Sequence, residues 1–154
     1  MDALIPLNFP EFSFRVRAEG QSKQIFDSVR KRFVALTPEE WVRQNLIRYL
    51  DEVMGYPQSL MAVERQVAGL AKVQRADLVV YDRTGKPWMI AECKAAHVEI
   101  GEDTLLQAAR YNLALEVPFF LLTNGLEHYC LENTPEGLVY LEGLPGFDTK
   151  VPGS

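Results

Sequence analysis

The chain predicts a mixed α/β fold, a central sheet flanked by helices, on three observations. A capped amphipathic helix opens near residue 37, and three β-type runs follow it between residues 60 and 95. A second helical stretch then leads into an almost unbroken apolar run, Val117-Pro118-Phe119-Phe120-Leu121-Leu122-Thr123. The resulting order is helix, three strands, helix, strand, strand, which a layered α/β architecture accommodates.

Taken in order, Phe12, Phe14 and Val16 alternate with polar residues, the turn-like AEGQS follows, and Ile25 and Phe26 resume the apolar pattern. That predicts a hairpin laid against the core. Thr37-Pro38-Glu39-Glu40 supplies an N-cap hydroxyl, a proline at the first helical position and a glutamate at the third, a capping box. The helix is predicted to run to about Met54, burying Val42, Leu46, Tyr49, Leu50 and Val53, until Gly55-Tyr56-Pro57 stops it. Strands are expected over Leu60 to Val67, Ala76 to Tyr81 and Trp88 to Ala95, the last two joined by the turn Asp82-Arg83-Thr84-Gly85-Lys86-Pro87. A helix from Asp103 to Leu115 would bury Leu106, Ala109 and Leu113. The run from Val117 suits a strand buried on both faces, and Asn124-Gly125 turns the chain into His128-Tyr129-Cys130-Leu131. Residues 1–142 read as one domain, with 1–36 a hairpin and lead-in and 37–133 the core, followed by a Gly/Pro-rich tail over 143–154.

At 154 residues, 47% hydrophobic and 24% charged, the chain has enough apolar material for one core and is too apolar for disorder. No stretch is apolar enough for a membrane helix. The net charge of −5 is unevenly divided: 14 basic and 12 acidic residues up to Lys94, then 2 basic and 9 acidic. This argues against a nucleic-acid coat protein that works by charge alone, yet Arg15, Arg17, Lys23, Arg30, Lys31 and Arg32 leave a local basic cluster. Two cysteines, Cys93 and Cys130, two distant histidines, His97 and His128, and no secretory pattern at the amino terminus predict a cytoplasmic, reduced protein without a structural zinc site. Cys93 is expected to pack in the core, and the histidines to be structural or surface residues.

The informative conflict lies in the hairpin around Thr84-Gly85. If it turns symmetrically, paired positions add to 169, which sets Asp77 opposite Glu92. Facing carboxylates repel unless a cation sits between them. Side chains alternate along a strand, so Glu92 and Lys94 point the same way. Two carboxylates offer the oxygen donors that Mg²⁺ takes, with water completing its shell, and Lys94 beside them would steady developing negative charge or help deprotonate a water.

These residues resemble a known family. Asp77, fourteen residues, then Glu92-Cys93-Lys94 across a β-hairpin is similar to the active-site signature of the PD-(D/E)XK nucleases, whose core order of helix, three strands, helix, strand agrees with the reading above. The segments LTPEEWVRQ, RADLVVYD, GKPWMIAECKA, QAARYN and LLTNGLEHY resemble the N-terminal nuclease domain of type I restriction enzyme R subunits, especially its small stand-alone relatives, over roughly residues 23 to 133. Ala76 departs from the proline that usually precedes the aspartate.

The resemblance implies a restriction-endonuclease-like core and a metal-dependent deoxyribonuclease. Asp77, Glu92 and the main-chain carbonyl of Cys93 would hold Mg²⁺ or Mn²⁺, and Lys94 would assist the attacking water. Gln107 and Tyr111 match a Q-x-x-x-Y motif that accompanies this site, on one face of the second helix. Glu40 is the candidate for the glutamate that the first helix often contributes, although its capping position already explains it. DNA is the implied partner, with a homodimer or partner subunits as further expectations; no G-x-x-x-x-G-K-[ST] loop occurs, so a motor and sequence reader would be separate subunits. The alternative is a DNA-binding or interaction module that keeps the nuclease fold without turnover.

Overall fold

The computed structural model describes residues 4–68, 73–113 and 116–147, apart from the side chains of 66–68, 73–75 and 111–113. Three short strands come first: β1 (Val16–Glu19), β2 (Ser22–Asp27) and β3 (Arg32–Ala35), antiparallel in that order. A hairpin turns where expected, with Gly20 at φ +60°, but its first strand begins only at Val16, which is exposed, and Phe12 and Phe14 precede it; Ile25 is the apolar residue it buries. The third strand was not foreseen. Helix α1 (Pro38–Arg48) follows and passes directly into a π-helical turn, Tyr49–Val53. A six-stranded sheet is then built from β4 (Met61–Ala68), β5 (Val73–Tyr81), β6 (Pro87–Cys93), β7 (Phe119–Thr123), β8 (His128–Thr134) and β9 (Gly137–Leu141), in that spatial order. Helix α2 (Glu102–Leu113) joins β6 to β7, the one parallel pair; the other neighbours are antiparallel. The sheet is therefore mixed, as expected, because a parallel pair needs a crossover and α2 supplies it.

Alternation distributes the sheet's side chains to two cores. Leu78, Val80, Met89, Ala91, Cys93 and Leu121 pack with Val42, Leu46 and Ile47 of α1 and Leu50 of the π turn, whereas Val79, Ile90, Phe120, Leu122 and Leu131 pack with Leu105 and Ala109 of α2. All five residues of β7 are buried, as the apolar run required. At fully buried positions each Val, Leu, Ile, Phe or Met side chain among these contributes about 1.5–3 kcal/mol.

Several details differ from the expectation, each for a local reason. Val53 is half exposed because the π turn, closed by Met54 N–H to the Tyr49 carbonyl at 3.1 Å, adds a residue and rotates it out of the α-helical stripe. Helix α2 buries Ala109 as expected, but Leu105 is buried where Leu106 was expected and Leu106 is half-buried; Leu113 lies outside the described side chains. Trp88 joins Met89 in the α1-side core against Tyr56, Phe119 and Phe147, because the β5–β6 register slips at Val80/Tyr81. The segment from Gly143 is packed up to Phe147: Leu144 and Phe147 lie on the core, and the Tyr56 hydroxyl donates to the Pro145 carbonyl at 2.5 Å.

The residues before β1 run over the outside of α1 and the β7–β8 turn. Asn8 N–H bonds the Gly125 carbonyl at 2.7 Å, Trp41 Nε1 bonds the Ile5 carbonyl at 2.8 Å, and Arg48 Nη2 bonds the Ser13 carbonyl at 2.7 Å. His128 bridges Thr123 Oγ1 and the Asn8 carbonyl with its ring against Phe9, a structural role in keeping with expectation.

Gly125 is the tightest point of this contact. Its φ is +88°, and an added Cβ would stand 2.8 Å from Leu7 Cδ2 and 3.2 Å from Val42 Cγ2. Gly125→Ala is therefore expected to destabilise by about 1–3 kcal/mol through strain and overpacking. Gly101→Ala, in open space, should stay within about 0.5 kcal/mol of the parent in the same urea titration.

Candidate active site

The predicted register holds in the part of the hairpin that matters. Leu78 pairs with Ala91, Val79 with Ile90 and Val80 with Met89, so one further step sets Asp77 against Glu92. Regular pairing stops short of that step. β5 continues alongside β4, with Ala76 against Arg65, while β6 continues alongside β7, with Glu92 against Leu122 and Cys93 against Thr123. The two strands part, and the Cys93 N–H goes to Asp77 Oδ2 at 2.8 Å in place of a backbone acceptor. Lys94 N–H, just beyond, bonds the Thr123 carbonyl at 2.8 Å and ties the end of β6 to β7.

Asp77, Glu92 and Lys94 cluster around this fork, each about one-third exposed at the side chain. Lys94 Nζ stands 3.6 Å from Glu92 Oε2, so the two point the same way, as alternation required. Asp77 Oδ1 is 3.6 Å from Arg43 Nη1 of α1. A pocket of about 170 Å³ lies here, lined by Thr37, Glu39, Arg43, Glu64, Asp77 and Cys93. The Cys93 thiol is buried, which pushes its pKa up, so it offers no soft ligand.

Glu40 stands behind this pocket and not in its lining. Thr37 Oγ1 accepts the Glu40 N–H at 3.0 Å, as a cap should, but the reciprocal half of the capping box is absent: Thr37 N–H goes to the Ala35 carbonyl. The Glu40 carboxylate instead takes Arg30 Nη2 at 2.8 Å, Arg43 Nη2 at 2.7 Å, Arg43 Nε at 3.1 Å and Gln44 Nε2 at 2.9 Å. Both oxygens are engaged, and Glu40 reaches Asp77 through Arg43. Burial alone would raise the carboxyl, but hydrogen bonds from Arg43, Gln44 and Arg30 outweigh it and hold the pKa at about 2. For Arg43, burial opposes the charge and the bonds to Glu40 overcome it, so its pKa is raised.

Two residues of this cluster escaped the sequence reading. Arg30, taken with Lys31 and Arg32 as part of a surface cluster, turns inward: it bonds buried Asp27, Glu40 and Glu64. Glu64 sits in β4 at φ +52°, at the register position facing Asp77, where the regular β4–β5 pairing skips a residue. The same register arithmetic across β4 and β5 would have found it, had a short turn fixed that hairpin. Gln107 is exposed on α2 and has no hydrogen bond or ion pair among the described residues. The Tyr111 side chain lies outside them.

The donor set is hard: two carboxylates at facing register positions of β5 and β6, each retaining lone pairs. It suits Mg²⁺ or Mn²⁺ with water completing the shell. Among the described residues, no group of three His, Cys, Asp or Glu side chains is arranged around a common point, so waters and main-chain oxygen would have to make up the remainder.

Comparison with known proteins bears on this arrangement. The family described as Type I restriction enzyme R protein N terminus matches residues 38–145, from the first turn of α1 to the packed segment after β9. The chain belongs to that family. It is also 40% identical over 63 residues to the Type I restriction enzyme EcoAI endonuclease subunit of Escherichia coli; the stretch is 41% of this chain and 8% of that subunit. The family match encloses Glu40, Arg43, Glu64, Asp77, Glu92 and Lys94, whereas Arg30 and the β1–β3 sheet precede it.

The Glu40 network makes the pH dependence of stability predictable. Its folded-state pKa lies below the ordinary 4.5, so the contribution is complete above about pH 4.5 and is lost as pH falls through about 2. Urea titrations over that range should show the loss, and Glu40→Gln should flatten it. Glu40→Ala leaves Arg30 and Arg43 without their shared carboxylate and is expected to destabilise by about 3–5 kcal/mol at neutral pH.

Proposed function

We propose that the chain is a metal-dependent phosphodiesterase acting on DNA, with a restriction-endonuclease-like core, and that its site is the β5–β6 fork. The observation that carries this reading is the placement of Asp77, Glu92 and Lys94 around a break in strand pairing, in a chain of the type I restriction enzyme R N-terminal family. Asp77 and Glu92, with the Cys93 carbonyl, would hold Mg²⁺ or Mn²⁺, which supplies Lewis acidity and a more acidic bound water.

The remaining work falls to side chains. Lys94 Nζ, 3.6 Å from Glu92, brings a positive charge to developing negative charge on a phosphate oxygen and fixes the water from which Glu92 draws a hydrogen bond. Arg43 is gripped through Nε and Nη2 by Glu40, and its Nη1 is left toward Asp77, positioned to meet a phosphoryl oxygen. Gln107 and Tyr111 are proposed to meet the substrate backbone from α2. Hydrolysis would proceed by direct attack of water, without a covalent intermediate. Sequence choice and translocation would come from partner subunits, and cutting both strands from a second active site in a homodimer or a partner nuclease.

A second reading, a DNA-binding or interaction module without turnover, draws on one observation: Arg43 and Lys94 already stand beside Asp77 and Glu92 and lessen the repulsion a metal would relieve.

The two readings separate on linear, circular single-stranded and branched DNA, with Mg²⁺, Mn²⁺ or chelator. The nuclease reading predicts cutting that chelator stops, lost in Asp77→Asn and Glu92→Ala together with Mn²⁺ binding. Lys94→Ala should keep Mn²⁺ binding while single-turnover cleavage falls about 10²–10³-fold. Binding of DNA without cutting under every condition, with Mn²⁺ affinity indifferent to Asp77 and Glu92, would favour the module.

A further inference from the structure

We infer that the outer face of the β1–β3 sheet is a docking surface for the phosphate backbone of duplex DNA, centred on Arg15 and Arg17. The inference rests on the reading of the chain as acting on DNA, and it assigns the binding to a part of the fold outside the catalytic fork and outside the family match. Residues 15–35 contain six basic and two acidic residues, in a chain whose net charge is −5. Asp27 is buried against Arg30, which leaves Arg15, Arg17, Lys23, Lys31 and Arg32 exposed with Glu19 as the only exposed acid of the segment. Among the described residues no ion pair uses any of these five cations.

The register places Arg17 opposite Gln24 and Phe26 opposite Phe33; Arg15, two residues before Arg17, shares its face, and its carbonyl is bonded by the Phe26 N–H. Arg17 stacks 4.0 Å from the centre of the Phe33 ring, and Arg15 lies 4.6 Å from that of Phe26 and 5.4 Å from that of Phe33. Gln24 Oε1 receives Arg17 Nε at 2.8 Å. Two like charges are thus held side by side on one aromatic floor with no carboxylate between them. A polyanion relieves that repulsion.

The rings are half-buried and covered by guanidinium groups, so they hold the arginines in place and do not offer an open face for stacking bases. That favours backbone contact with a duplex over the aromatic platform used for single strands. The surface is also suitably located. The β2–β3 turn that carries Lys31 holds Arg30, which bonds Glu40 and Glu64 at the edge of the Asp77 pocket. From that turn the sheet extends over Arg32–Ala35, about 13 Å at strand rise, or roughly four base pairs of duplex.

The test measures duplex affinity by fluorescence anisotropy in chelator from 0.05 to 0.2 M salt, using the whole chain and the double variant Arg15→Gln/Arg17→Gln. The charge-matched control is Arg83→Gln/Lys86→Gln, both exposed in the β5–β6 turn, at the opposite end of that hairpin from the fork. Loss of two phosphate contacts should reduce the log–log salt slope by about 1.8 and affinity by some tens-fold at 0.1 M salt. The control should bind like the parent, and Arg15→Lys/Arg17→Lys, which keeps the charge, should recover most of the affinity. Unchanged binding in the double variant, equal loss in the control, or no duplex binding by the parent would overturn the surface. Preference for single strands that Phe33→Leu abolishes would overturn it in favour of base stacking. Binding that depends on Arg15 and Arg17, with no cleavage of any substrate when Mg²⁺ or Mn²⁺ replaces the chelator, would leave the surface standing and sink the nuclease reading; cleavage with either metal, with binding indifferent to both arginines, would do the reverse.

Discussion

Where β5 and β6 separate, one carboxylate does the work of a backbone acceptor. The Cys93 N–H, deprived of a ladder partner, goes to Asp77 Oδ2, and the fork is thereby fixed in the same contact that brings Asp77 to its place. β6 pairs with both neighbours over Met89–Ala91, antiparallel β5 on one side and parallel β7 on the other, and beyond Ala91 it keeps only β7. Parallel pairing demands the α2 crossover, α2 covers one face of the sheet, and α1 must cover the other. The polar cluster lies at the carboxyl end of β6, the end at which open α/β sheets leave a crevice for ligands.

Around that fork the charges form a chain in which each residue is fixed by the one behind it. Glu40 is buried and fully bonded, and it locks Arg43 through two nitrogens so that the third faces Asp77. A lysine could not do this, since one ammonium has no fixed fork to share between two carboxylates. Arg30 ties the same glutamate to Asp27 and Glu64, so the β1–β3 sheet, α1 and β4 meet at one ion network. The first helix thus contributes its glutamate as an anchor for arginine, and the arginine is what reaches the site.

How much of this the sequence disclosed depended on the reach of each signal. The Asp77–Glu92 register was legible because the Asp82–Pro87 turn is short and Asp82 Oδ1 accepts from Thr84 and Lys86 N–H groups; beside the turn Tyr81 pairs with Pro87, one residue off the symmetric register, and the bulge at Val80/Tyr81 restores it. Glu64 faces Asp77 in the same way, but no short turn joins β4 to β5 and nothing in its neighbours marks it. Arg30 looked like its neighbours Lys31 and Arg32; its partners are distant in the chain, and only tertiary structure turns it inward. β9 escaped because Val139 and Tyr140 are about half exposed at the sheet edge, so its apolar run has no buried face to announce. The helical period holds in both helices, with Ala109 buried as expected, and the differences lie at the π turn and at Leu105 in place of Leu106, places where packing, not periodicity, decides.

The most direct measurement is the position of Mn²⁺ by anomalous scattering in crystals of the parent protein. The account predicts a peak at the β5–β6 fork with carboxylate oxygens of Asp77 and Glu92 in its coordination shell, at about 2.0–2.6 Å, and Arg43 still held by Glu40. A Mn²⁺ peak elsewhere, or an empty fork at millimolar Mn²⁺ with Lys94 still paired to Glu92 and Arg43 beside Asp77, would contradict it.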